Sequence, residues 1–289
     1  MSTIERTPPA VLARRRRSRR ASAASTATVL ARRRLHGKVS VVVPCFNTAS
    51  TIEPVLRTLL RDTDGLVADV LVIDNASTDG TPDVVRRLIA EHARDGHRIV
   101  LLENPENLGY GGSIKRGFAS LTATASHVAI MHSDDQCDAA QTLLDLADAY
   151  EQDPEPDVVL TSRFVRGAQL DDYSLLRRVA NRFFNTFTHL VCGLRMSDAG
   201  AAIMLARSEA IAELPYERLT SGYQFHPQLN LVLYSEPDLR ITEVPMEWRD
   251  AETQVKFNLM AYGLTLGGIL VRFGWRHRVL RRPAIEAVA

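Results

Sequence analysis

From Lys38 onward the chain alternates short apolar runs with longer amphipathic ones. VSVVVP, Val39 to Pro44, is rich in β-branched residues and stops at a proline, which predicts a buried strand. Ile52, Val55, Leu56, Leu59 and Leu60 then share one face at helical spacing, with Ser50 or Thr51 as the expected cap. VLVID (Val70–Asp74) predicts a second strand. Thr81-Pro82, a cap followed by proline at the first position, predicts the next helix start. RIVLLE (Arg98–Glu103) predicts a third strand, NLGYGG a turn into a helix near Ser113–Thr122, and HVAIMH a fourth strand. Such alternation implies an α/β protein with a mainly parallel sheet covered on both faces.

Downstream, DVVLTS and AAIMLA predict further strands, Tyr173 to Cys192 a long helix rich in Arg, Phe and Asn, and RITEVPMEW an extended segment. No internal repeat is evident. The boundary between tail and domain falls near His36–Lys38, where the apolar pattern begins.

Composition changes this picture only at the ends. With 289 residues and 45% hydrophobic content, the chain can bury one large core. The net charge is +1, but residues 1–36 hold ten Arg and one acidic residue, and Arg272, Arg276, Arg278, Arg281 and Arg282 cluster near the other end. Residues 1–37 are expected to form a disordered basic tail, because their Arg/Ala/Ser composition cannot bury a core. They lack the apolar stretch of a signal peptide. Residues 38–256 form the expected domain and 257–289 an amphipathic, basic helical segment. Phe257–Val271 is shorter than the ~18–20 apolar residues of a membrane span. Two readings of it stay open: an interfacial helix, or a helix packed on the core. Basic ends suit an anionic membrane surface. Cys45, Cys137 and Cys192 are far apart and fit a reducing cytoplasm. The expected location is thus cytoplasmic, peripheral at the inner face of the membrane. No basic patch interleaved with aromatics lies inside the domain, so no nucleic acid is expected.

Candidate chemistry gathers at the strand ends, where open parallel sheets bind ligands. These ends read Pro44-Cys45-Phe46-Asn47, Asp74-Asn75-Ala76-Ser77-Thr78-Asp79-Gly80, Asn107-Leu108-Gly109-Tyr110-Gly111-Gly112 and His132-Ser133-Asp134-Asp135-Gln136. All four are polar or Gly-rich after apolar strands, which suggests one nucleotide-sized cleft. Asp74 sits where a carboxylate can accept from a base N–H. NLGYGGS follows the third strand and lacks G-x-G-x-x-G spacing, so a dinucleotide fingerprint is excluded. Its glycines are expected to let backbone approach a ligand.

Taken in order, VSVVVPCFNTASTI, VLVIDNASTDGT, NLGYGGSIKRG and HSDDQ resemble the family 2 glycosyltransferases of the GT-A fold. The resemblance implies a GT-A type nucleotide-diphospho-sugar transferase fold, with a mainly parallel central sheet flanked by helices. It implies donor contacts from Pro44, Asn47, Asp74, Asn75, Asn107, Gly109, Gly112 and Lys115. HSDDQ falls where the family carries its D-x-D metal motif, so His132, Asp134 and Gln136 become the metal residues and Mn²⁺ or Mg²⁺ the cofactor. His132 replaces the first Asp. Either it ligates and shifts preference toward Mn²⁺, or it hydrogen-bonds behind Asp134 and water. Asp135 stands where a Gly is usual.

The downstream half is most similar to polyprenyl-phosphate sugar synthases, through TSRF, RRVANRFFN, SDAGAAIML and GYQFHPQL. That similarity implies Asp134 and Arg163 as catalytic residues, and Arg163, Arg177, Arg178 and Asn181 as acceptor-phosphate contacts. The implied reaction is inverting transfer of a sugar from a nucleotide-diphosphate donor to a polyprenyl phosphate or related acceptor. Met204 and Gln228 depart from the pattern, where a basic residue and a carboxylate are usual. Two alternatives remain: a nucleotide-sugar-binding, catalytically weak partner subunit, or transfer to a sugar hydroxyl with His226, Asp198 or Asp250 as base.

Overall fold

The computed structural model describes residues 32–63, 65–93, 98–121, 125–152, 155–249 and 259–288. Strand β1 (Val39–Cys45) is buried along its whole length, as its β-branched sequence demands. Helix α1 (Ile52–Arg61) buries Ile52, Val55, Leu56, Leu59 and Leu60 on the expected face. Each such side chain contributes roughly 1.5–3 kcal/mol by leaving water. Then follow β2 (Val67–Asp74), α2 (Thr81–His92), β3 (Arg98–Glu103), α3 (Tyr110–Ala119), β4 (His127–Ile130) and α4 (Ala139–Asp148). The second half contains β5 (Val158–Ser162), β6 (Gln169–Asp171), α5 (Leu175–Cys192), β7 (Met204–Arg207), α6 (Ser208–Ala212), α7 (Phe225–Leu233), β8 (Ile241–Pro245), β9 (Glu247–Arg249), α8 (Leu259–Gly274) and α9 (Ala284–Val288).

Seven strands form one sheet in the order β3-β2-β1-β4-β7-β5-β8, and β6 pairs with β9 in a separate ribbon. Pairing is parallel except at β7, which runs antiparallel to both β4 and β5. Core clusters lie on both faces of the sheet. The α/β architecture matches the expectation. Parallel pairing brings the carboxyl ends of β1, β2, β3 and β4 to one edge.

Two expected caps differ. Thr51 makes no side-chain cap; its hydroxyl instead donates to the Ser133 carbonyl at 2.8 Å, tying α1 to the loop after β4. Gly80, with φ of 85°, precedes α2, so Thr81 is already helical and Pro82 follows it. The N-terminal 31 residues and 250–258 lie outside the described residues, so most of the expected tail does too. Residues 32–35 form a helical turn, Leu35 is buried, and Arg32 pairs with Asp148, so packing starts before Lys38. No described helix is long and apolar enough to cross a membrane.

Candidate active site

The loops after β1 and β2 are knitted to each other by polar side chains. The Asn47 carboxamide oxygen accepts from Thr78 N at 2.9 Å, and Asn47 N donates to Ser77 Oγ at 2.9 Å. Thr48 N donates to Thr81 Oγ1 and Ala49 N to Asp79. Asp74 is buried at the end of β2, accepts from Ser77 N at 3.0 Å and receives the buried Cys45 thiol at 3.7 Å. A carboxylate has about four acceptor sites, so Asp74 keeps capacity for a further donor. Asn47, Ala76 and Asp135 adopt φ of 54°, 61° and 55°, one at the end of each of β1, β2 and β4. Left-handed non-glycine residues cluster where a scaffold holds loops to a task. The φ at Asp135 also accounts for the glycine usual at that place.

Asn75 binds the third strand end. Its Oδ1 accepts from Asn104 Nδ2 and Leu108 N, and its Nδ2 donates to Asn107 Oδ1 at 2.8 Å. The glycines that follow do not line an opening. A Cβ on Gly109 or Gly111 would strike the segment from Thr220 to Phe225, and Gly112 N donates to Ser221 O. These glycines let the backbone approach this neighbouring segment closely. The Lys115 ammonium donates to the Glu217 and Leu219 carbonyls and to Ser221 Oγ. Its three donors are thus all engaged. Lys115, Gly109 and Gly112, expected as donor contacts, all meet the 217–225 segment here.

At the end of β4, Ser133 Oγ donates to the Pro44 carbonyl at 3.0 Å, which fixes the metal-motif loop against β1. His132 Nε2 lies 3.3 Å from the Tyr110 hydroxyl, and Nδ1 lies 4.0 Å from Asp134 Oδ1. Its ring packs edge-on to Trp248 at 5.7 Å. Burial holds its pKa below the ordinary value; Asp134 opposes this and Arg163 adds to it. A neutral imidazole with one nitrogen held by Tyr110 and the other facing a carboxylate fits a divalent ion. Gln136 is buried, and its carbonyl accepts from Arg249 N. The described residues contain no group of three or more His, Cys, Asp or Glu that encloses a metal. Ions such as Mg²⁺ take one or two protein carboxylates and complete their shell with substrate phosphate and water. Asp134 fits as that carboxylate, and the His132 imidazole 4.0 Å from it suits Mn²⁺ better than Mg²⁺.

Arg163 follows β5. Its Nε donates to Asp198 Oδ2 at 2.7 Å, one terminal nitrogen to Asp198 Oδ1 at 2.8 Å, and the other to Tyr173 Oη at 3.3 Å. Burial works against its charge, and Asp198 overrides that and holds it cationic. Among the described residues three of its five N–H groups find partners, which leaves two able to donate to an anion. Asn181 Nδ2 donates to the same Tyr173 hydroxyl at 2.6 Å. Arg178 instead donates to the Tyr173 and Leu170 carbonyls, and Arg177 lies exposed on α5. The structure thus gathers Arg163 and Asn181 around Tyr173 and turns Arg178 to the loop before the helix. The sequence assigns Tyr173, Tyr110 and Trp248 no role in the site, because a lone aromatic gives no sign of which group it will touch.

A model of the family described as glycosyl transferase family 2 matches residues 40–214, more than half of the chain. The chain belongs to this family. Among curated relatives, it is 26% identical over 258 residues to glycosyltransferase AglD of Haloferax volcanii, covering 86% of this chain and 40% of that protein. It is 25% identical over 217 residues to an undecaprenyl-phosphate mannosyltransferase of Micrococcus luteus, covering 74% of this chain and 85% of the relative. Among solved structures, mannosyl-3-phosphoglycerate synthase of Rubrobacter xylanophilus superposes with a TM-score of 0.65 at 19% identity, over 87% of this chain and 78% of the other. Glucosyl-3-phosphoglycerate synthase of Mycobacterium tuberculosis, solved with Mn²⁺ and UDP-glucose, gives 0.60 at 18% identity, over 89% and 84%. The fold is GT-A, as expected.

Within this family 2 chain the two departures from the synthase pattern have structural places. Met204 is fully buried in β7, paired to Ile130 and Leu160. Gln228 is buried in α7, where its Oε1 accepts from Thr220 N at 2.7 Å. It thereby holds the segment against which Gly109 and Gly111 pack. Asp198 accepts from Arg163 three times, through its backbone N–H and two guanidinium nitrogens, and from Gly200 N. Asp250 lies outside the described residues.

Proposed function

We propose that the chain is an inverting glycosyltransferase that moves a sugar from a nucleotide-diphosphate donor to a polyprenyl phosphate at a membrane surface. The donor half rests on family membership and on the four loops gathered at one sheet edge. Asp74 accepts from the base and Asn47 lies beside the nucleoside. His132 and Asp134, with Gln136 behind them, hold Mn²⁺ or Mg²⁺. A bound ion supplies neutralisation of the leaving diphosphate.

The observation that carries the acceptor is the setting of Arg163. Its two spare donors suit a phosphate, and Asn181 places α5 beside it. The outer face of α5 is apolar and exposed at Leu175, Leu176, Val179, Phe183 and Leu190. Helix α8 packs on α5, and Met260, Leu264 and Val271 are exposed on it, with Trp275, Val279 and Leu280 just beyond. Exposed arginines interrupt the same segments at 177, 178, 182, 272, 278, 281 and 282. Exposed apolar residues on two packed helices, with arginines among them, suit an anionic leaflet, where a lipid phosphate resides. Such an acceptor is already an anion and needs no strong base. That agrees with Asp198, which is committed to Arg163, and with His226, whose pKa burial pushes down to about 3.

The test is transfer by the full chain from a panel of sugar nucleotides with Mn²⁺ or Mg²⁺. Polyprenyl phosphate in vesicles, phosphoglyceric acid and no acceptor are compared, alongside Asp134→Ala. Metal-dependent transfer to the lipid, lost in the variant, is the expected result. Transfer only to phosphoglyceric acid would replace the lipid with a soluble phosphate. Donor binding with no transfer would leave a binding subunit.

A further inference from the structure

His226 stands in the first turn of α7, is 2% exposed, and has neither ring nitrogen hydrogen-bonded among the described residues. Leaving one buried polar group unpaired costs about 1–3 kcal/mol, so two on one ring require an explanation. The ring lies in the site. Its centroid is 5.4 Å from Tyr110, whose hydroxyl touches His132, the first residue of the metal motif. Tyr223 stacks on the other side of Tyr110 at 5.9 Å and is 47% exposed. The Tyr110 ring thus stands beside His226, and a rotamer change can move such a ring.

We propose that His226 contacts the transferred sugar, hydrogen-bonding one of its hydroxyls and so setting which sugar is accepted. This rests on the transferase reading above. The argument is one of chemical matching. Burial disfavours a charge on the His226 imidazole. A neutral imidazole offers one donor and one acceptor, which match a hydroxyl and not a phosphate. Of the three reactants' parts, the diphosphate is anionic and belongs with the metal motif. The acceptor phosphate is anionic and belongs with Arg163. The neutral, hydroxyl-bearing parts are the nucleoside, which belongs with Asp74 and Asn47 at the ends of β2 and β1, and the transferred sugar. The sugar must also lie next to the diphosphate at the metal motif, and Tyr110 bridges His226 to that motif, with its ring 5.4 Å from His226 and its hydroxyl 3.3 Å from His132 Nε2. Tyr223, half-exposed, adds a flat apolar face for the C–H side of a sugar ring.

The experiment measures dissociation constants of the full chain with Mn²⁺ for UDP, GDP, UDP-glucose and GDP-mannose, in wild type, H226F and H226Q. The expected result is that H226F leaves the bare nucleotide within about twofold and weakens the matching sugar nucleotide about 10- to 100-fold. H226Q, which keeps an amide at one nitrogen's place, is expected to fall between. Equal effects on nucleotide and sugar nucleotide, in a wild type that transfers sugar, overturn this proposal alone. Binding of none of the four by wild type overturns the transferase reading and this proposal with it. Should H226F not fold, H226Q and H226N carry the same comparison, and equal effects on both ligand classes in both variants overturn it.

Discussion

Arg163 and Asp198 face each other through two parallel hydrogen bonds of 2.7 and 2.8 Å, with the carboxylate side chain 1% exposed and the guanidinium 15%. The pair joins the end of β5 to the turn before β7, 35 residues later. Removing one partner of a buried pair strands the other. Asp198→Ala is therefore expected to destabilise the fold by about 3–5 kcal/mol, measured by urea unfolding. Arg163→Lys keeps the charge but loses the fork. It is expected to fold and to lose transfer at least tenfold, mainly in the acceptor KM. Unchanged kinetics in that variant would remove Arg163 from the acceptor site.

The metal motif makes a different prediction. His132 faces Asp134 through Nδ1 while Tyr110 holds Nε2. An imidazole tolerates Mn²⁺ better than Mg²⁺. His132→Asp is expected to shift the ratio of Mn²⁺- to Mg²⁺-supported rate toward Mg²⁺ by about tenfold. If the ratio does not move, His132 is not a ligand.

Two glycines should respond with opposite signs. A Cβ on Gly111 would lie 2.6 Å from Phe225 Cβ and 2.7 Å from the Thr220 carbonyl. Gly111→Ala is expected to cost about 1–3 kcal/mol. A Cβ on Gly268 in α8 meets nothing within 4 Å. Gly268→Ala is expected to stabilise by about 0.5–1 kcal/mol. Thermal unfolding of the two variants reads both.

Acid should weaken the fold through its buried histidines. Burial, aided by Arg207 and Lys38, pushes His127 down to about 4, and burial with His132 pushes His226 down to about 3. An unfolded histidine titrates near pH ~6.5. Below that pH the unfolded chain binds more protons than the folded one. Stability is therefore complete above about 6.5 and falls as pH drops toward 3, by up to about 1.4 kcal/mol per pH unit for each histidine. His226→Gln removes one of these protons. Its urea-unfolding free energy is expected to fall less steeply than that of wild type between pH 6 and 4; equal slopes would contradict the burial argument.

What the sequence by itself determined is the layout. The β-branched runs at Val39–Pro44 and Val70–Asp74 and the helical face from Ile52 to Leu60 are periodic, and periodicity is a local property. The edge at which chemistry gathers follows from it, because parallel strands share a carboxyl end. The order of the four loops was likewise enough to recognise family 2. Tertiary structure alone decided which side chains inside those loops are tied to neighbouring segments. Asn75 and Lys115 look like ligand contacts in sequence, yet their hydrogen bonds run to neighbouring loops. The glycines of NLGYGG answer to Thr220–Phe225, more than a hundred residues away in the chain. Tyr173 meets Arg163 and Asn181, and Tyr110 meets His132 and His226, only because separate strands and helices converge. Partner choice across such separations depends on where packed elements place two side chains in space. No local spacing along the chain encodes that distance.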